Sequence, residues 1–135
     1  MIGPAKIVVR YASGKMLKGY SQDFSPTSLN FHVRRNEGAG SEPGQLVSLR
    51  DLKAVFFVRD FSGNSTYDEQ KMFMAGKALS GKKIEVTFND GEVLVGTTMG
   101  YDAQRLGFFL FPADDQANNT RMFVVMAAVK TVRFL

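Results

Sequence analysis

The chain lacks cysteine and tryptophan and carries a single histidine among its 135 residues. Without cysteine there is no disulfide, thiol nucleophile or thiolate metal site, and this absence fits a reducing compartment. No apolar stretch approaches the roughly 20 residues that a membrane-spanning helix needs. The N-terminal segment also lacks the charged start and long apolar run of a signal peptide. We therefore expect a cytoplasmic protein of bacterial type with no membrane partner.

Signatures of catalysis are equally scarce. His32 follows Phe31, so strand alternation points it away from the core, toward a surface or interface rather than an acid-base site. The glycines of residues 38–44 lack the spacing of a dinucleotide-binding loop, and no serine stands in a Gly-x-Ser-x-Gly setting. Residues 114–119 gather Asp and Asn oxygens without the spacing of a calcium loop, and hydrogen bonding within that loop is the alternative. We predict a protein that is not an enzyme, with no catalytic residue, metal or cofactor.

What the chain does contain is the same pattern twice. Residues 6–11 (KIVVRY) align with residues 83–88 (KIEVTF), and the interval of 77 residues then holds without a gap to Leu135. The aligned pairs include Gly14 with Gly91, Gly19 with Gly96, Phe31 with Phe108, and Val55 with Val132. A fixed-period match indicates two copies of one structural unit. We expect one copy over residues 1–58, a connector over residues 59–82, and the second copy over residues 83–135.

Each copy reads as all-β. Apolar and polar residues alternate in its first segment, and Asp90-Gly91 is a strong hairpin signal between two such segments. Gly19 and Gly96 fall in the middle of the next strand, where a glycine marks a sharp bend. Five short, bent strands in about 53 residues predict a small SH3-like barrel, so the fold is two tandem five-stranded barrels packed together. In the connector, Thr66 and Glu69 have capping-box spacing, which is compatible with a short helix, and an ordered linker is the alternative.

Several predicted strands are apolar on both faces. They are residues 55–58 (VFFV), 108–111 (FFLF) and 122–126 (MFVVM). Continuous apolar runs indicate that the outer face is covered as well as the inner one. Packing between the two copies would cover it, and so would a homo-oligomer or a partner protein. We take Phe56, Phe109 and Phe111 as the candidate interaction surface.

Charge separates the two copies. The whole chain carries a formal charge of +4, and residues 6–58 hold eight Lys/Arg against four Asp/Glu, whereas residues 83–135 hold five against six. A basic first copy is the one feature that points to a polyanion, and ordinary solvated surface is the alternative. The candidate nucleic-acid-binding residues are Arg10, Lys18, Asn30, Arg34, Arg35 and Arg50.

The second copy resembles the first motif of the Sm/Lsm fold, to which bacterial Hfq belongs. The residues that carry the resemblance are Val86, Phe88, Asp90-Gly91, Val93, Gly96, Tyr101-Asp102-Ala103 and Phe108-Phe109-Leu110. The first copy keeps the skeleton but has Ser25 where Asp102 stands. The chain as a whole also resembles a group of uncharacterised bacterial proteins with a tandem arrangement.

The resemblance implies a small β-barrel and, in the family, an RNA pocket lined by an aspartate, an asparagine and a second-motif Arg-Gly or Lys-His pair. Neither pair is present, since the corresponding turns read LRDL (49–52) and MAAV (126–129). The closest matching positions are Asp102, Asn30 and Arg50. Two hypotheses follow: a non-enzymatic adaptor that binds a protein partner or itself, and an RNA or single-stranded nucleic-acid binder that acts through the basic first copy.

Overall fold

The computed structural model describes residues 5–35, 44–59, 81–113 and 119–135. These ranges are all-β, as the alternating pattern predicts, and contain no α-helix. The described strands are β1 Ala5–Tyr11, β2 Met16–Ser21, β3 Asn30–Val33, β4 Gln45–Ser48, β5 Leu52–Val58, β6 Lys82–Phe88, β7 Val93–Thr98, β8 Gly107–Pro112, β9 Asn119–Val125 and β10 Val129–Phe134. The 3-10 turns Leu49–Asp51 and Met126–Ala128 precede β5 and β10. The predicted connector helix lies outside the described residues.

Strand positions recur at the interval found in the sequence. Strands β1 and β6 begin 77 residues apart, and so do the two 3-10 turns. The pairing recurs too, because Ile7 lies opposite Gly19 and Ile84 lies opposite Gly96. The first half of the described chain, β1–β5, and the second half, β6–β10, therefore repeat one succession of strands and turns.

All strand pairs are antiparallel. Eight strands form one sheet in the order β10-β6-β7-β8-β9-β5-β1-β2, and β3 and β4 form a separate two-stranded sheet. One bridge, between Tyr20 and Arg34, connects that hairpin to β2, and Thr97 lies opposite Phe111 at the corresponding positions of the second half. The large sheet is not closed, since β10 and β2 stand at its ends. Where the sequence predicts two barrels, the described chain shows one open sheet that continues from one half into the other.

The halves meet where β5 pairs with β9, with Val55 opposite Phe123. Successive side chains of a strand point to opposite faces, so each of these strands serves two cores. On one face, Val55, Phe57, Phe123 and Val125 join a core made mainly by the first half. On the other face, Ala54, Phe56, Met122 and Val124 join a core made mainly by the second half. The apolar runs of β5 and β9 are thus covered on both faces by the cores of the two halves.

Candidate functional site

Aromatic rings from both halves gather around Phe123 of β9. Its ring centroid lies 5.4 Å from that of Phe24 and 5.2 Å from that of Phe109, both in edge-on arrangements. Arg121 places its guanidinium carbon 4.3 Å from the ring centroid of Phe57 and 5.0 Å from that of Phe109. A cation at this distance is attracted by the ring quadrupole. The cluster therefore has an apolar interior with a positive charge against it.

A cavity of about 310 Å³ opens beside this cluster. It is lined by Pro26, Thr27, Met99, Gly100, Arg105, Gly107, Phe108, Phe109, Phe111 and Phe123. Met99 is 74% exposed and Phe111 is 39% exposed, so two large apolar side chains stand at its opening. Arg105 also lines the cavity, with its Nε 3.6 Å from Oδ2 of Asp102. A concave, mostly apolar wall that includes four phenylalanines and one charged group suits an apolar side chain with a polar group next to it.

The three residues predicted as an interaction surface have different surroundings. Phe109 is half-buried and lines the cavity, and Phe111 is exposed beside it. Phe56 is only 7% exposed and packs in the core of the second half, with the Arg10 guanidinium carbon 5.6 Å from its ring centroid. Because β5 lies at the junction, Phe56 packs inside the chain and offers no surface to a partner.

The predicted nucleic-acid-binding residues occupy two regions. Arg10 and Lys18 lie on one face of the β1–β2 hairpin, because Arg10 lies opposite Met16 and Lys18 lies opposite Val8. Arg10 is directed to the second half, where its Nη1 lies 3.7 Å from Oε1 of Glu92. Arg34 joins β3 to β2 through its backbone, and Arg35 is exposed next to it.

Asn30 and Arg50 lie together at another end of the first half. Asn30 begins β3 opposite Ser48, and the backbone N–H of Leu49 donates to the carbonyl of Leu29 at 2.8 Å. Arg50 follows in the 3-10 turn and is exposed. Asn30 and Arg50 thus lie close to each other along the paired backbones of β3 and β4, whereas Arg10 stands apart from them at the contact with Glu92.

His32 lies on the face of β3 opposite the core residue Phe31, as the alternation predicts. Its Nδ1 lies 2.7 Å from Oδ2 of Asp23, and its backbone N–H donates to Oδ1 at 2.9 Å. Burial alone would raise the pKa of Asp23, but the hydrogen bonds from the His32 side chain and backbone lower that pKa below its ordinary value. This pair closes the loop that connects β2 to β3.

An ion cluster at the junction, in which a buried lysine meets two solvent-accessible carboxylates, is not among the sequence predictions. Lys53 is the extra residue of a bulge in β5, since Arg10 pairs with Ala54 and Tyr11 pairs with Leu52. Its side chain is buried against the hairpin between β6 and β7, where it contacts Glu92 and lies 2.7 Å from Oδ2 of Asp90. Its Nζ also lies 4.7 Å from the ring centroid of Phe88.

Lys53 lowers the pKa of Asp90. Its hydrogen bond to Asp90, together with the Glu92 backbone N–H and against a smaller effect of burial, holds the pKa of Asp90 below the ordinary 3.8. A lowered folded-state pKa adds stability that is complete above the ordinary value and is lost as pH falls through the folded value. Protonation of Asp90 below pH 3.8 therefore weakens the contact between the halves.

We expect the Lys53→Met variant to show a weaker dependence of stability on acid than the unaltered chain. The urea midpoint of the unaltered chain should fall more steeply as the pH drops below 3.8, because only in that chain does protonation of Asp90 weaken a contact with Lys53. Lys130→Met is the matched control, since Lys130 occupies the same repeat position on β10 but is exposed. Identical pH slopes in the unaltered chain and the Lys53→Met variant would contradict this role.

The described ranges hold no group of three or more His, Asp or Glu side chains arranged to bind a metal ion. Most of the predicted oxygen-rich loop, residues 114–118, lies outside these ranges. No helix that is long and apolar enough to span a bilayer occurs in the described part of the chain.

A family model described as "Family of unknown function (DUF6982)" matches residues 3–135 of the chain. No curated protein matches the chain, and neither does any solved structure. The family match extends over both halves and over the connector between them. The chain therefore belongs to this family of unknown function.

Proposed function

We propose that the chain is a non-enzymatic protein-binding module built from two tandem Sm-like barrels, over residues 1–58 and 83–135, joined by the connector 59–82. The strand order supports this. In the second half, the fifth strand lies beside the first, followed by the second, third and fourth, as β10-β6-β7-β8-β9. The first half has the same order in two pieces, β5-β1-β2 in the large sheet and β3-β4 in the separate hairpin. The bridge from Tyr20 to Arg34 joins the two pieces. Two curled units that share their junction strands would give this arrangement.

The observation that carries the binding function is the aromatic cavity with Met99 and Phe111 at its opening. Exposed apolar side chains beside a pocket are typical of protein interaction sites, where a partner side chain fills the pocket as an anchor. Methionine suits such a rim because its unbranched side chain adapts to the partner. Arg105 and Arg121 add donors at the periphery, where polar groups surround an apolar centre. We expect the partner to insert an apolar side chain between Met99 and Phe111.

Met99→Asp tests this site. A tagged unaltered chain, expressed in the cells that naturally make it, should retain a specific protein, and Met99→Asp should reduce its recovery at least about tenfold, as the loss of an anchor contact of roughly 2 kcal/mol predicts. Leu135→Asp is the matched control, because Leu135 is also exposed and apolar but lies outside the cavity. Equal recovery with Met99→Asp and the unaltered chain would overturn the proposal.

Nucleic-acid binding through the first half is the second candidate. It is favoured by the proximity of Asn30 and Arg50 and by the basic character of the first copy. Binding of single-stranded RNA whose affinity falls steeply with salt, with a flatter salt dependence in the Arg34→Ala, Arg35→Ala double variant, would favour this candidate. The same measurement with no salt-dependent binding would remove it.

A further inference from the structure

The junction shows how one copy of the repeat accepts a strand from outside itself. Strand β5 lies along β9 in antiparallel register, with Ala54 opposite Val124. At the end of this contact, the β5 bulge places Lys53 over a groove formed by the acidic β6–β7 hairpin and the 3-10 turn after β9. The second half therefore binds an extended strand by backbone pairing and recognises one of its side chains, Lys53, through the opposite charges of Asp90 and Glu92.

The first half has the same groove without an occupant from the described chain. Its cavity of about 650 Å³ is lined by Tyr11, Ala12, Ser13, Lys15, Met16, Leu17, Gln45, Arg50 and Asp51. Strand β4, the counterpart of β9, pairs only with β3 among the described strands. Leu46, at the repeat position of the buried Phe123, is 60% exposed. An unpaired strand edge with an exposed apolar side chain is a template for an added strand.

The charge of the groove is reversed between the halves. Lys15 stands at the repeat position of Glu92, and Ser13 stands at that of Asp90. Arg50 lines the groove at the position of Ala127, and Asp51 offsets one of the two positive charges. A strand that presented a lysine here, as β5 does to the second half, would meet Lys15 with the same sign of charge. A strand that presented a carboxylate would be attracted.

A second copy of this chain fits the groove poorly. The counterpart of β5 is β10, which carries Lys130 at the bulge, so a second copy would bring Lys130 against Lys15. Strand β10 also has Thr131 and Arg133 where β5 has Ala54 and Phe56, and Arg133 is already paired with Glu85, its Nη2 lying 3.2 Å from Oε2. Like charges and polar replacements of this kind disfavour edge-to-edge association of identical chains.

We propose that the first half binds an extended segment of a different protein, which adds a strand to the edge of β4 that no described strand covers and places an acidic side chain over Lys15. Apolar residues of that segment would cover Leu46 in the way that β5 covers Phe123. This inference rests on the proposed protein-binding function but assigns it a second surface, separate from the aromatic cavity and of defined chemistry.

Two peptides test the groove. Each has the sequence of residues 52–58 with a soluble flanking tail and a fluorophore, one unaltered and one carrying Lys53→Glu. Fluorescence anisotropy should show the Lys53→Glu peptide binding the full chain about tenfold more tightly than the unaltered peptide. The Lys15→Glu chain should reverse this ranking. Lys6→Glu is the matched control, because Lys6 is exposed on the same hairpin about 16 Å from the groove at the strand rise, and it should keep the original ranking.

Equal affinity of the two peptides, no binding of either, or an unchanged ranking in the Lys15→Glu chain would each overturn the groove assignment. If Met99-dependent capture of a partner persisted in that case, the proposed function would stand without this surface. Equal affinity of the two peptides, combined with salt-dependent binding of single-stranded RNA that required Lys15, would overturn the protein-segment assignment and identify nucleic acid as the ligand of the groove. Circular dichroism of the Lys15→Glu chain should match that of the unaltered chain, since Lys15 is an exposed residue between β1 and β2.

Discussion

Replacement of Phe123 with alanine is expected to lower the free energy of unfolding by about 3–5 kcal/mol. The side chain is fully buried, and although it belongs to β9 of the second half, it packs in the core of the first half. The loss of this ring would remove its edge-on contacts with Phe24 and Phe109 and leave a cavity. Because β5 and β9 each serve both cores, the two halves should unfold in one cooperative transition. Urea denaturation followed by circular dichroism measures both the loss and the number of transitions.

Phe134→Ala is the matched control for this experiment. Phe134 is 49% exposed on β10, at the outer end of the large sheet, so its truncation should cost less than about 1 kcal/mol. A comparable loss from both variants, or separate transitions for the two halves, would contradict the exchange of core side chains across the junction.

Gly96→Ala should have the second large effect. A Cβ atom at Gly96 would lie 2.0 Å from the carbonyl oxygen of Phe111 and 2.9 Å from its carbonyl carbon. Both are backbone atoms of the adjoining strand, which cannot move without breaking the pairing of β7 with β8. We expect a loss of about 3 kcal/mol or more, measured by urea denaturation or, where folding fails, by loss of soluble protein.

Two other glycines serve as a parallel case and a control for the Gly96→Ala variant. Gly19 is the repeat counterpart of Gly96, and a Cβ there would lie 2.3 Å from the carbonyl oxygen of Arg34, so Gly19→Ala should also be severely destabilised. At Gly100 an added Cβ would meet no atom within 4 Å, and the residue has no positive φ, so Gly100→Ala should be close to neutral. If Gly96→Ala and Gly100→Ala were equally stable, the close approach of β7 and β8 would not be essential.

Local patterns in the sequence predict the elements of the fold well. The alternation in residues 6–11 and 83–88 marks β1 and β6, and Asp90-Gly91 marks the hairpin that follows β6. The sequence predicts a bend at the mid-strand glycines Gly19 and Gly96, and the structure shows that a neighbouring backbone leaves no room there for a Cβ atom. These signals are readable because each depends on a few adjacent residues and on the period of a half-buried strand.

The pairing of the two halves could not be predicted in the same way. Which strand lies beside β5 depends on residues more than 60 positions away, and apolar runs on both faces are compatible with several partners. The sequence places Phe56 on a surface for this reason, although it is buried against the second half. The contact of Lys53 with Asp90 and Glu92 was not predicted from the sequence either. One signal is present: both copies keep a lysine at this position, Lys53 and Lys130, but only the second copy has the acidic residues Asp90 and Glu92 in its hairpin.

The pairing of β5 with β9 also has a consequence for how the chain is made. During synthesis the first half emerges well before residues 119–125, so its core lacks Phe123 and Val125 until β9 has been made. Until then, the apolar strand β5 has no neighbour on one side. Long-range strand pairing is slow to form, and unpaired apolar strands invite aggregation. The first half is therefore expected to complete its core well after its own last strand has been synthesised, once β9 has left the ribosome and paired with β5.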